Sequence, residues 1–109
     1  MKLSNEIAVF VPSTIGAAEA SQEMISRVVD QALIELSAVN GGATATAGVG
    51  AWISSEGGLV KESVVIVSSS CETITLETLR TLAKLRRLVR ETMRQEAVTV
   101  RVNGTLYIR

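Results

Sequence analysis

Two stripes of apolar residues at helical spacing, each set between strand-like runs, do most to limit what this chain can fold into. Ile25, Val28, Val29, Ala32, Leu33, Leu36 and Val39 recur at three- and four-residue steps, the pattern of one face of an amphipathic helix. Asn40-Gly41-Gly42 ends that helix, glycine being common just past a helix C-terminus. A second helix begins at Thr73 or Thr75, with Leu79, Leu82, Leu85, Val89 and Met93 on its inner face and Arg80, Lys84 and Arg87 outside. Around the helices lie shorter runs. Ile7–Val11 is a buried strand closed by Pro12; Val49–Ile53 and Leu59–Ser68 form a hairpin across Ser54-Ser55-Glu56-Gly57-Gly58. Ala97–Val102 alternates, and Asn103-Gly104 turns it into a last strand over Thr105–Ile108. The order β-α-β-β-α-β-β predicts an α+β chain of the ferredoxin-like plan, as a single domain over residues 1–109. Both helices then lie on one face of an antiparallel sheet, with an extra C-terminal hairpin strand.

Helices on one face leave the other bare. Ile7–Val11 and Val64–Val67 are apolar on both sides, and soluble monomers rarely expose a large apolar patch. A homodimer or higher homo-oligomer is therefore expected, with the bare face buried between copies.

Composition narrows the function classes. Of the 109 residues 47% are apolar but only 3% aromatic, namely Phe10, Trp52 and Tyr107, so the core is aliphatic. Modules that hold single strands stack bases on several aromatic rings, which argues against a nucleic-acid partner. Net charge is zero, giving little steering toward DNA or membranes. Locally it is uneven: nine acids against Lys2, Arg27 and Lys61 leave residues 1–77 at −6, and eight bases against Glu91 and Glu96 leave residues 78–109 at +6. The absence of histidine removes the commonest general base and the commonest zinc ligand. The acids show no ligand spacing, so neither a metal nor a cofactor is expected. Cys71 has no histidine to activate it and no partner for a disulfide, and no catalytic residue is assigned. With no apolar leader at Met1–Glu6 and no run of membrane-spanning length, a cytoplasmic protein without a membrane partner is expected.

Candidate binding residues gather around Gly41–Trp52, which holds four glycines and the one tryptophan. Gly48-x-Gly50 lacks the third glycine of a dinucleotide fingerprint and the Gly-Lys-Ser/Thr ending of a P-loop. It also precedes a strand, whereas both phosphate motifs open a helix. Two readings remain: a bulged or bent edge strand, or a segment facing a ligand, with the Thr44 and Thr46 hydroxyls donating and Trp52 stacking. Glu62 shares a strand face with Val60, Val64 and Ile66; it reads either as a strand-end carboxylate that is solvated or paired with an arginine, or as a ligand contact. Arg86 and Arg90 lie nearest the apolar stripe of the second helix and are the cations expected to reach an anion; the remaining bases read as a solvated face. Gln95-Glu96 sits at the junction of helix and strand, where it caps or fixes the corner.

The glycine–threonine step, Gly48-x-Gly50-x-Trp52, Gly57 or Gly58, Glu62 and Gln95-Glu96-Ala97-Val98 together resemble a family of small bacterial proteins of unknown function. That family carries a G-L-T…G-x-W…G…E…Q-E-S-V signature, and similar short sequences occur on phages and mobile elements. The match covers residues 40–98, with Gly-Ala-Thr for Gly-Leu-Thr and Ala97 for serine. The resemblance implies a ferredoxin-like fold and brings no activity with it.

The expected function is a non-enzymatic, oligomeric binding protein for a small polar or anionic, nucleotide-like molecule, with Thr44, Thr46, Gly48, Gly50, Trp52, Glu62, Arg86 and Arg90 at the site. One form of it is a phage counter-defence sponge that sequesters a host signalling nucleotide. Two alternatives stand beside it: a protein–protein module that inhibits a host enzyme, and a small enzyme using Glu62 as general base.

Overall fold

The computed structural model describes the whole chain, Met1–Arg109. Its elements are β1 (Asn5–Pro12), β2 (Thr14–Ile15), β3 (Ala18–Glu19), α1 (Gln22–Asn40), β4 (Thr44–Ile53), β5 (Leu59–Cys71), α2 (Leu76–Thr92), β6 (Thr99–Val102) and β7 (Thr105–Ile108). β4, β5, β1, β6 and β7 form one antiparallel sheet in that order, and β2 and β3 make a separate small hairpin. Without the β2–β3 hairpin and β7, this is the ferredoxin-like β-α-β-β-α-β arrangement, with both helices on one face.

The register explains how one face becomes the core. Val9 lies opposite both Val67 and Val100. Alternate residues share a face, so Ile7, Val9, Val11, Val67, Val98 and Val100 all turn toward the helices. They meet Ile25, Val28, Ala32 and Leu36 of α1 and Leu82, Leu85 and Val89 of α2 in one apolar cluster. A fully buried side chain such as Leu36 or Leu85 contributes about 1.5–3 kcal/mol relative to exposure. α1 starts at Ser21, whose hydroxyl accepts from the Met24 N–H, and stops at Gly41, whose φ of 90° suits glycine. No helix is long and apolar enough to cross a membrane.

Three expectations need correction. The chain after Pro12 does not run straight into α1 but first folds the β2–β3 hairpin, whose two-residue strands carry no readable periodicity. Leu79 is exposed, and the buried start of the α2 stripe is Thr78, whose hydroxyl lies 3.0 Å from that of the capping Thr75. Finally, β4 has no bulge. It pairs with β5 residue for residue from Thr44↔Ser68 to Ile53↔Leu59, and the strand begins five residues before Val49.

β5 is the longest strand, and its two halves have different surroundings. Val64–Cys71 pairs with β1 inside the sheet, whereas Leu59–Ser63 pairs only with β4. The outer halves of β4 and β5 therefore project as a two-stranded arm. The Cα radius of gyration, 14.2 Å, exceeds the roughly 13 Å of a compact chain of this length. The arm carries Trp52 and Val60 on one side and Val49, Ile53 and Leu59 on the other, most of them well exposed.

Candidate functional site

The sheet face away from the helices carries the candidate site. Opposite residues share a face, so the register places Thr44, Thr46, Gly48, Gly50 and Trp52 of β4 in one row. Ser68, Ile66, Val64, Glu62 and Val60 of β5 lie beside them, followed by Ala8, Phe10 and Pro12 of β1. Arg101, opposite Ala8, is the one cation this face receives from the sheet strands. Its guanidinium lies 5.5 Å from the centre of the Phe10 ring and 3.0 Å from Glu6 Oε1, covering one end of the apolar surface.

At the other end is an open cavity of about 370 Å³. Phe10, Pro12, Val64 and Ile66 form its floor, Gly48 and Gly50 one wall, and Gln95, Ala97, Val98 and Thr99 the opposite wall. Glu62 is its sole ionisable lining residue. A volume of this size falls in the usual range for small-molecule pockets, roughly 300–1,000 Å³. A second cavity of about 390 Å³ lies on the helix side of the arm, against Val11, Ile25, Val49 and Val65, and no ionisable group lines it. Of these two cavities beside the arm, the open-face one combines apolar walls with a charge.

Two distant segments converge on that charge, one directly and one through the other. The Thr14 hydroxyl donates to Glu62 Oε1 at 3.2 Å. Gln95 donates through Nε2 to the Thr14 carbonyl at 3.0 Å and to the Met93 carbonyl at 2.9 Å. Gln95 is placed by the end of α2: Arg94 takes a left-handed conformation, φ 51°, and the Gln95 N–H donates to the Arg90 carbonyl, closing the helix by a Schellman-type bond. A non-glycine residue in that region is strained by about 1 kcal/mol or more, offset here by the hydrogen bonds it permits.

The sequence-derived residues divide into two groups. Glu62, Gly48 and Gly50 line the cavity, and Trp52, Thr46 and Thr44 share their face without lining it. Arg86 and Arg90 are not brought there. Both lie on α2, across the sheet, and Arg90 donates to the Arg109 carbonyl while its Nε is buried without a partner. Their closeness to the apolar stripe is what turns them inward, and that stripe packs on the opposite face. Thr14 and Phe10 were missed. Pro12 marks a change of direction, but nothing local links Thr14 to a glutamate 48 residues later.

The glycines are not explained by packing within the chain. A Cβ on Gly48 would lie 3.5 Å from Val64 Cγ1 and one on Gly50 3.8 Å from the Glu62 carbonyl oxygen, both ordinary contacts. Neither residue has a positive φ.

No protein-family model matches the chain, and no curated protein matches it by sequence. Two solved structures do match in fold. One is a phage SAM lyase in complex with S-methyl-5'-thioadenosine, 21% identical, covering all of this chain and 93% of that one, with a TM-score of 0.69. The other is a phage SAM lyase in the apo state, 21% identical over 98% of this chain and 89% of that one, with a TM-score of 0.65. At that identity the likeness establishes a common fold. It also overturns one expectation: a fold read from the sequence as a non-enzymatic binding module is, in both solved structures, the fold of an enzyme.

Proposed function

We propose that this chain is a lyase that breaks a carbon–sulfur bond of S-adenosylmethionine, the small polar molecule being consumed rather than sequestered. The observation that carries the reading is the open-face cavity: apolar floor, one carboxylate, and the fold of a lyase whose solved complex holds S-methyl-5'-thioadenosine.

The chemistry fits such a pocket. When S-methyl-5'-thioadenosine leaves S-adenosylmethionine, the bond between sulfur and the methionyl γ-carbon breaks and its electron pair stays on sulfur. The substrate's own carboxylate attacks the γ-carbon and closes a five-membered lactone. No water is consumed and no proton leaves. A sulfonium cation and a carboxylate anion both disappear, so surroundings poor in water favour the transition state over the ground state. Phe10, Pro12, Val64 and Ile66 supply such surroundings, and holding the two reacting ends together removes much of the entropic barrier.

Glu62 is assigned to the substrate's ammonium. An anion placed against the sulfonium would hold the ground state harder than the transition state, where that charge is vanishing. The ammonium keeps its charge throughout, and binding it orients the chain for ring closure. This reading replaces Glu62 as general base. In a phage setting, removing the methyl donor inside a host cell is a counter-defence of its own.

We further infer that the cavity is completed by a second copy. A two-stranded arm with apolar residues on both sides is marginal alone in water, and the cavity stands open beside it.

The test is incubation of the purified protein with S-adenosylmethionine, with products followed by chromatography and mass spectrometry. Release of S-methyl-5'-thioadenosine together with an α-amino-γ-butyrolactone is expected. In Glu62→Gln the KM rises by roughly ten- to a hundredfold with kcat largely kept, as for an interaction made equally in ground and transition states. Loss of kcat at constant KM would restore the general base, and no turnover by the wild type would remove the lyase reading.

A further inference from the structure

The structure assigns Thr14 and Gln95 to a shared task, that of fixing the direction in which Glu62 presents its carboxylate to the cavity. The assignment rests on the reading of that cavity as the substrate site. A threonine hydroxyl has one hydrogen to give and two lone pairs to accept with. The Gln95 amide has two hydrogens. One goes to the Met93 carbonyl at 2.9 Å, and the other is shared between the Thr14 carbonyl at 3.0 Å and Thr14 Oγ1 at 3.4 Å. The lone pairs of Oγ1 therefore face Gln95, and its hydrogen turns to its remaining neighbour, Glu62 Oε1, at 3.2 Å. One carboxylate oxygen is held and the other is left for the substrate cation.

Tethering the β2–β3 hairpin does not require this network. The Gly16 N–H already donates to the Met93 carbonyl at 2.9 Å, and the Ala20 N–H donates to the Ser13 carbonyl at 2.9 Å. Both bonds are backbone only and persist when either side chain is changed. What the side chains add is the orientation of Glu62. Gln95 lines the cavity, yet its donors are all used within the chain, so both residues act as positioning residues.

The two nucleosides supply an internal control, since S-methyl-5'-thioadenosine lacks the ammonium that Glu62 is assigned to hold. Thr14→Val, Thr14→Ser and Gln95→Leu are compared with the wild type. Thr14→Val raises the KM for S-adenosylmethionine roughly tenfold or more, as expected for loss of a hydrogen bond to a charged group. The Kd for S-methyl-5'-thioadenosine stays put, Thr14→Ser restores the KM, and Gln95→Leu follows Thr14→Val more weakly. An unchanged KM in Thr14→Val, or a parallel loss of affinity for both nucleosides, overturns the assignment. If the wild type neither binds nor cleaves S-adenosylmethionine, it is the lyase reading that fails. The carboxyl carbon resonance of Glu62 in the ligand-free protein then decides: a signal that moves in Thr14→Val and returns in Thr14→Ser upholds the positioning role, and one that stays fixed rejects it.

Discussion

Gly50 stands directly opposite Glu62 on the open face of the sheet, and beyond its chain neighbours the nearest atom to where its side chain would begin is the Glu62 carbonyl oxygen, 3.8 Å away. Glycine inside a strand costs about 0.5–1 kcal/mol relative to alanine. Internal packing does not ask for it.

Gly50→Ala is therefore expected to raise the melting temperature by roughly 2–8 °C, the change that such an energy makes in a chain of this size. The same variant binds S-adenosylmethionine at least about tenfold more weakly, because the methyl group occupies the substrate's place. Calorimetric melting and isothermal titration separate the two effects. A stabilised variant with undiminished affinity would mean that the space belongs to another copy of the chain.

Arg90 offers the opposite test. It ties the end of β7 to α2 through the Arg109 carbonyl. Arg90→Ala lowers stability by about 1–3 kcal/mol, read as a denaturant midpoint. Arg90→Met recovers part of the loss by keeping the packed stem without the unpartnered Nε. Turnover well below the melting temperature is unchanged in both. A stable Arg90→Ala protein that no longer binds substrate would reinstate the role expected from the sequence.

Trp52 is the sole tryptophan, about half exposed on the arm. Packing of a second copy there shifts its emission to shorter wavelength as concentration rises, and sedimentation shows a mass above 11.6 kDa. Ile53→Ser with Leu59→Ser disperses the assembly and leaves the melting of the core in place. Concentration-independent emission together with a monomer in sedimentation would reject the shared site.

Leu85→Ala, at a position with no exposure, costs about 2–5 kcal/mol through lost burial and the cavity left behind. Chemical denaturation monitored by circular dichroism gives the value, and a loss below about 1 kcal/mol would mean that the core can close around the gap.

Much of this was legible in the chain. The stripes Ile25–Val39 and Leu79–Met93 marked both helices, although Leu79 itself is exposed, and Asn103-Gly104, with φ of 48° and 84°, marked the last hairpin. Parity alone placed Glu62 with Val64 and Ile66, because a strand repeats every two residues wherever it lies. Other features depend on contacts that no periodicity encodes. Thr14 meets Glu62 only because β1 and β5 are paired, and Gln95 reaches Thr14 only through the left-handed turn at Arg94. Arg86 and Arg90 were misplaced for a related reason: closeness to a helix stripe says that a residue turns inward, and the sheet decides which side inward is. The glycines suggested a bulge because local rules attach bulges to strand glycines, whereas here the strand is regular and the vacancy faces outward.

The division of β5 between sheet and arm bears on how such a chain can change over time. Substitutions along Val49–Ile53 and Leu59–Ser63 change the surface that the arm presents while leaving the helix-covered core intact. The core residues tolerate little. Selection can therefore act on ten residues of ribbon while the foldability of the remaining chain is inherited unchanged.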